Sequence, residues 1–270
     1  MEIRRGFRAR GASVPPASFL TPSIRAVLLD VDGTLYRQLP VRFMMAAELA
    51  AVPFRRRSNG AGRNVARISR IIREFRTVRE QLRHRGAAAE SLERLQYAET
   101  ARRTGAGPRD VEAIVAEWIL RRPLRHLRRW KSPGLDVFLD AARRQGLLIG
   151  ALSDYPVADK VAALGLAEYF SLSLCTTDCS INAFKPHPRG YLEACRMWGL
   201  SPMEVLYVGD RPDVDAPGAR AAGMPCAIVG GFIRRPRAGR SCRVVESGFS
   251  RTSHIPVRTF VDLAGSLAMA

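Results

Sequence analysis

The sequence predicts an α/β protein in which a parallel sheet flanked by helices is interrupted by a long helical insertion. Three observations carry that prediction. The apolar run Ala26-Val27-Leu28-Leu29 reads as a buried central strand, and it ends directly on Asp30-Val31-Asp32-Gly33-Thr34. From residue 38 to residue 129 nearly all the apolar positions recur at helical spacing. After Ser132-Pro133-Gly134, helix and strand patterns alternate, as parallel βαβ construction requires.

Residues 1–22 are rich in Arg, Gly, Pro and Ser and read as a disordered basic leader. Arg4-Arg5 is not followed by the apolar segment that an export signal needs. The first strand covers residues 27–29. Side chains two apart in an extended chain point the same way, and Gly33 lets the backbone leave the strand sharply, so Asp30 and Asp32 can share one site. In open α/β sheets reactive groups gather beyond the carboxyl ends of such strands.

In the insertion, helices are expected at residues 43–51, 88–103 and 110–120. A long helix is marked by Ile68, Ile71, Phe75, Val78 and Leu82 at steps of three and four, with Arg67, Arg70, Arg73, Arg76, Arg79 and Arg83 on its remaining surface. Asn59-Gly60-Ala61-Gly62 follows no strand and lacks a Lys-Ser/Thr ending, so it reads as an interhelix loop and not as a phosphate cradle. The second half then gives a helix at 135–145, a strand at 147–152, a helix at 157–164 and a strand at 171–174. A helix at 188–198, a strand at 205–208, a helix at 213–222 and a strand at 226–229 follow. The tail holds one more strand near 243–245 and a terminal helix near 259–268. The expected division is a leader at 1–22, a core at 23–37 and 130–270, and a helical domain at 38–129.

With 270 residues, 47% of them hydrophobic, the chain can bury a substantial core. No apolar stretch approaches the ~20 residues of a membrane span, so a soluble protein is expected. The five cysteines, Cys175, Cys179, Cys195, Cys226 and Cys242, are odd in number and form no Cys-x-x-Cys pair, which fits a reducing, cytoplasmic compartment. The net charge is +18 and the pI about 11. All but three of the basic residues are Arg, the lysines being Lys131, Lys160 and Lys185, a pattern that codon bias toward Arg also produces. Aromatics are only 7% and do not interleave with the basic residues, so no specific nucleic acid partner is expected. An anionic small substrate, or peripheral contact with an anionic membrane, is compatible with the charge.

Further polar groups follow the later strands: Ser153, Lys185, and the acidic cluster Asp210, Asp213 and Asp215. Each has a structural alternative, Ser153 as a helix cap, Lys185 as a surface charge and Asp213 as the cap of the next helix. Phosphoryl transfer has a use for all of them together. A carboxylate can take the phosphoryl group covalently, Mg²⁺ is held by one or two carboxylates beside a phosphate, and a hydroxyl and an ammonium complete the charge clamp.

In that order, Asp30-Val31-Asp32-Gly33-Thr34, Leu152-Ser153, Lys185-Pro186 and Gly209-Asp210-Arg211-Pro212-Asp213-Val214-Asp215 resemble the four motifs of the haloacid dehalogenase-like (HAD) hydrolase superfamily. The resemblance covers residues 24–230. It implies a Rossmann-like parallel-sheet core with an α-helical cap inserted between the first and second motifs, as in the phosphoglycolate phosphatase and β-phosphoglucomutase-like branch. By position, Asp30 corresponds to the nucleophile and Asp32 to the acid/base. Ser153 and Lys185 correspond to phosphoryl-binding residues, and Gly33 and Thr34 join them in the first turn. Asp210 corresponds to a Mg²⁺ ligand beside Asp30 and the main-chain carbonyl of Asp32. Asp215 corresponds to the acid that orients Lys185 or a metal-bound water, with Asp213 as a further supporting acid.

The implied activity is a Mg²⁺-dependent phosphatase acting on a small phosphorylated metabolite such as a sugar phosphate or a phosphoglycolate-like acid, as a monomer or homodimer. Dehalogenases of the superfamily lack an acid at the position of Asp32. Phosphonate cleavage calls for a cap lysine, and residues 37–129 contain none. A phosphomutase using the same motifs is the alternative enzyme, and a cationic binding protein at an anionic surface is the alternative class. The cap arginines suggest a second anionic group on the substrate. Tyr36 and Arg37 are expected at the pocket edge.

Overall fold

Among the described residues β1 (Ala26–Leu29), wholly inaccessible to solvent, is a central strand of a six-stranded sheet. On one side of it lie β2 (Leu148–Ser153) and β3 (Leu172–Cys175). On the other lie β4 (Val205–Gly209), β5 (Cys226–Val229) and β6 (Ile255–Val257), giving the order β3-β2-β1-β4-β5-β6. Every pairing is parallel. The chain therefore reverses its progress across the sheet between β1 and β4, and a crevice opens there beyond the carboxyl ends. The computed structural model describes residues 24–52, 61–229, 255–257 and 259–268. The expected leader and the expected strand at 243–245 lie outside these residues. The edge strand β6 was not foreseen, because Pro256 at its centre breaks the strand pattern, and Pro is tolerated only at a sheet edge.

Beyond the first turn the chain builds α1 (Gln38–Ala50), α2 (Ala61–Arg85), α3 (Leu92–Thr104), α4 (Pro108–Val115) and the short α5 (Leu124–Leu127). Ile71 and Phe75 of α2 meet Ala101, Val111 and Val115 in a small apolar core of their own. Val78 and Leu82 meet Leu92 and Phe184, which fastens these helices to the loop before Lys185. The helix expected at 110–120 is split: α4 ends at Val115 and a π-helical turn, Ala116–Arg121, carries Trp118 and Ile119 inward. Such turns rotate side chains relative to a regular helix and recur at functional sites.

Two expectations for α2 need correction. The helix begins at Ala61, so Ala61 and Gly62 are helical and not part of a loop; Asn59 and Gly60 lie outside the described residues. Its arginines are not all at the surface: Arg83 is only 7% exposed, and Arg76 and Arg79 are half-buried. The polar face of α2 overlies the carboxyl ends of the strands. A polar face turned to a polar cavity has the same sequence pattern as one turned to water.

Alternate residues of the strands feed two apolar layers. Val27, Leu29, Ile149, Ala151, Leu206 and Val208 pack against α6 (Leu135–Arg144), α7 (Ala158–Ala163) and α10 (Phe260–Ala268). Ala26, Leu28, Leu152, Tyr207 and Ile228 pack against α8 (Arg189–Trp198) and α9 (Asp215–Ala222). Covered on both faces, the sheet has only its ends free for chemistry.

Candidate active site

β1 carries Asp30 and Asp32 into the crevice. The Asp30 amide donates to the Val208 carbonyl at 2.8 Å, so the backbone is still in register with β4 there. Gly33 then turns at φ +114°, where a Cβ would overlap the Asp210 carboxylate, so glycine is required twice over. Gly209 serves Asp215 in the same way: a Cβ there would overlap that carboxylate.

Lys185, from the loop after β3, is the hub of the site. Its Nζ donates to Asp30 Oδ1 at 2.5 Å, to Asp215 Oδ1 at 2.9 Å and to Tyr207 Oη at 3.1 Å, which uses all three ammonium protons. Thr34 Oγ1 donates to Asp30 Oδ2 at 2.9 Å. The Tyr207 hydroxyl and the Arg211 amide donate to Asp215, at 2.9 and 3.0 Å, and so hold it as the anchor of Lys185. Burial raises Asp30 to about 6; Lys185 opposes the rise, and Asp215 and Asp32 add to it.

Asp32 has the opposite environment. Lys160, on α7, reaches its two carboxylate oxygens at 2.7 and 2.5 Å, Ser153 Oγ donates at 3.0 Å, and the Tyr36 hydroxyl donates as well. Burial acts to raise Asp32, but Lys160, Tyr36 and Ser153 together bring it down to about 2. Two carboxylates at one strand end thus differ in proton affinity by environment alone, which is how one site obtains groups for two tasks.

Asp210 stands apart from both. Its Oδ1 is buried without a hydrogen-bond partner among the described residues. Burial, with Asp30 and Asp215 nearby, pushes it up to about 8. One oxygen each from Asp30, Asp210 and Asp215 lie within 4.8 Å of one another. Three carboxylates share one ammonium, and an all-oxygen donor set with excess negative charge and an orphan oxygen suits a hard divalent cation.

The α2 side closes the crevice. Arg83 donates to Asp154 Oδ2 at 2.7 Å, to Glu80 at 3.0 Å and to the Lys185 carbonyl, so it ties α2 to β2 and to the hub loop. Asp154 also accepts from Thr176 Oγ1 at 3.0 Å, and Arg83 holds it below the usual carboxylate range against the effect of burial. Two cavities meet beneath α2. One, of about 370 Å³, is polar and lined by Asp30, Ser153, Lys185 and Asp210. The other, of about 440 Å³, is walled largely by apolar residues and shares Asp32, Gln38, Arg42, Arg79 and Tyr155 with the first.

The profile of the haloacid dehalogenase-like hydrolase family matches residues 24–223, most of the chain and every element that builds this crevice. The chain belongs to the haloacid dehalogenase-like hydrolases. It is similar to a phosphoserine phosphatase of Thermus thermophilus, 30% identical over 82% of this chain and 95% of that one. It is also similar to a phosphoglycolate phosphatase of Cupriavidus necator, 30% identical over 76% and 80%. Among solved structures, a HAD phosphatase from Thermococcus onnurineus shares the fold with TM-score 0.58 and 21% identity, covering 90% of this chain and 98% of that one. A 2-haloacid dehalogenase from Pseudomonas syringae does so with TM-score 0.58 and 19% identity, covering 91% and 99%. With phosphatases as its relatives and an acid at Asp32, this hydrolase is a phosphatase of the family.

The motif residues converge in this hydrolase with some differences of part. Asp30, Asp32, Ser153, Lys185, Asp210 and Asp215 share the crevice. Thr34 turns its hydroxyl onto Asp30. Asp213 lies outside, paired with Arg211 at 2.7 Å and largely exposed, and Val214, not Asp213, caps α9. Tyr36 is at the pocket, whereas Arg37 is exposed and lines neither cavity. Sequence reasoning missed Lys160, Asp154, Arg79 and Tyr155. A signal for Lys160 was present: it is one of three lysines among 43 basic residues, and two of those three are buried against active-site carboxylates. A compact ammonium sends its three protons in three directions, as Lys185 does to Asp30, Asp215 and Tyr207, whereas the donors of a guanidinium lie in one plane.

Proposed function

We propose that this hydrolase is a Mg²⁺-dependent phosphatase that cleaves a small phosphorylated metabolite through an aspartyl-phosphate on Asp30. The observation that carries the reading is the contrast between the two carboxylates: Asp30 is held by Lys185 beside the acidic cluster, and Asp32 by Lys160, Tyr36 and Ser153 away from it. Asp30 attacks phosphorus as the bond to the ester oxygen breaks, and the leaving oxygen takes its proton from Asp32. Asp32 then takes a proton from the water that attacks the phosphorus of the aspartyl-phosphate and releases phosphate.

As built, Asp32 is ready for the second half, being a carboxylate. An incoming phosphate dianion raises its proton affinity and competes for Lys160, which supplies the protonated state for the first half. When the phosphate enters, Ser153 turns its proton from Asp32 and Lys185 one of its three protons from Tyr207 to phosphoryl oxygens, while Asp215 keeps Lys185 in place. Asp30, Asp210 and the main-chain carbonyl of Asp32 would hold Mg²⁺. When bound, the ion supplies positive charge that keeps these carboxylates ionised and draws charge from the phosphoryl oxygens. The helices of residues 38–129 serve as a cap that excludes water and meets the leaving group.

Relatives named for phosphoserine, phosphoglycolate and glyceraldehyde 3-phosphate support a small phosphomonoester as substrate. The cytoplasm is the proposed compartment, on the cysteine usage described above. The test is phosphate release from a panel of phosphomonoesters with and without Mg²⁺, comparing the native chain with Asp30→Asn. Metal-dependent release lost in the variant is expected; equal release from both proteins overturns the reading.

A further inference from the structure

The cavity of about 440 Å³ extends from Asp32 to the interior of the helical insertion, and its size and lining are out of proportion to a two- or three-carbon leaving group. Drug-sized ligands occupy pockets of roughly 300–1,000 Å³, and such pockets owe their affinity to apolar walls. Val41, Met45 and Leu49 of α1, Ile72 of α2, Trp118 of the π-helical turn and Leu124 of α5 form such walls here. A glycolate or serine fragment offers them almost no apolar surface. Four separate elements contribute, so the apolar lining is not the by-product of one amphipathic helix.

Charge adds a second observation. Several arginines elsewhere in the insertion have carboxylate partners: Arg67 on Asp110, Arg102 and Arg103 on Glu99, Arg122 and Arg125 on Glu48. Arg42, Arg76 and Arg79 line the cavity and make no ion pair among the described residues. Burial, and then the nearby Arg76 and Arg79, disfavour the charge on Arg42. Arg79 Nε and Nη1 and the Tyr155 hydroxyl are buried with no hydrogen-bond partner among the described residues, while the guanidinium stacks 3.9 Å from the centre of the Tyr155 ring. Buried donors left open and like charges set side by side are costly, and an anion relieves both at once. Arg76 lines only the larger cavity and not the one holding Asp30, so its charge serves the leaving-group side.

We infer that the leaving group of the substrate is amphipathic, an apolar ring or branched chain carrying its own anionic group, with that anion held by Arg42, Arg76 and Arg79 and the apolar body among α1, Trp118 and Leu124. This rests on the phosphatase reading and narrows it. A small polar acid satisfies only the charge, and a neutral apolar ester satisfies only the walls.

Three probes separate the contributions: phosphoglycolate, phenyl phosphate, and 2-carboxyphenyl phosphate, which combines the ring and the carboxylate. Phosphate release is measured with Mg²⁺ for the native protein, Asp30→Asn and Arg76→Met. For the native protein kcat/KM is expected to be at least about tenfold higher for 2-carboxyphenyl phosphate than for either other ester, as one charged hydrogen bond or a few buried methylenes would give. Arg76→Met should cost the carboxylated ester about tenfold more than it costs phenyl phosphate. A native preference for phosphoglycolate, or equal losses on both aryl esters in a variant that melts like the native chain, overturns the inference and leaves the phosphatase reading standing. No Asp30-dependent release from any of the three overturns both.

Discussion

The two walls of the crevice are built on opposite rules. On the sheet side the motif side chains are largely tied down by the chain itself: Lys185 spends three protons on Asp30, Asp215 and Tyr207, and Asp32 accepts from Lys160, Ser153 and Tyr36. On the helical side Arg83 is engaged by Glu80, Asp154 and the Lys185 carbonyl, whereas Arg42, Arg76 and Arg79 make no ion pair among the described residues. The difference separates two jobs. Groups that move charge in the reaction need geometry set before substrate arrives. Groups that select the leaving group gain most if their partner is the substrate itself.

The comparison can be broken from either side. The largest effect is expected at the proposed nucleophile: Asp30→Asn should lower phosphate release by about 10⁴-fold or more while the protein remains folded, measured in steady state with Mg²⁺. Next comes the hub. Lys185→Met leaves buried Asp30 and Asp215 facing each other without their cation, and a loss of about 3–5 kcal/mol is expected by urea denaturation. A fall of less than about 1 kcal/mol would show that the sheet wall is not held as described.

Lys160→Met tests the other carboxylate. Burial is the largest influence on Asp32 and Lys160 the largest that opposes it, so removing Lys160 lets burial raise the group, and the basic limb of the kcat/KM profile, which reports the acid that protonates the leaving group, should move to higher pH. An unmoved limb would remove Asp32 from the role of proton donor to the leaving group. A smaller effect concerns the acidic cluster without metal. Asp30 and Asp210 bind protons more tightly folded than unfolded, at about 6 and about 8. Their contribution to stability is complete below the ordinary carboxylate range and is lost as pH rises through those two values. In EDTA the protein should therefore melt lower at pH 8.5 than at pH 5.5, and Mg²⁺ should raise the melting temperature more at the higher pH. Differential scanning fluorimetry reads both.

The smallest change belongs to the helical wall. Arg79→Met removes a stack on Tyr155 but also two unpartnered buried donors, so stability should stay within about 1 kcal/mol of native, in contrast to Lys185→Met. A large loss would mean that this wall too is held by internal contacts. Denaturation of the two variants side by side makes the comparison direct.

By itself the sequence determined the α/β class, the parallel order of strand and helix, and the polar residues that follow the strand ends, because these rest on local patterns. An apolar strand ending on two acids and a glycine shows its chemistry within five residues. Ser153, Lys185 and Asp210 were legible by the same rule, each following a strand. Lys160, Asp154 and Tyr155 follow β2 but have no distinctive spacing, and their roles depend on which carboxylate they meet across the fold. Only the tertiary structure decided that Asp32 belongs to Lys160 and Asp30 to Lys185, that Asp213 turns away, and that some arginines of α2 face a cavity instead of water. The physical reason is that secondary structure follows from neighbours along the chain, whereas desolvation and ion pairing depend on neighbours in space. A periodic polar face is the same sequence whether solvent, a carboxylate or a substrate lies opposite it.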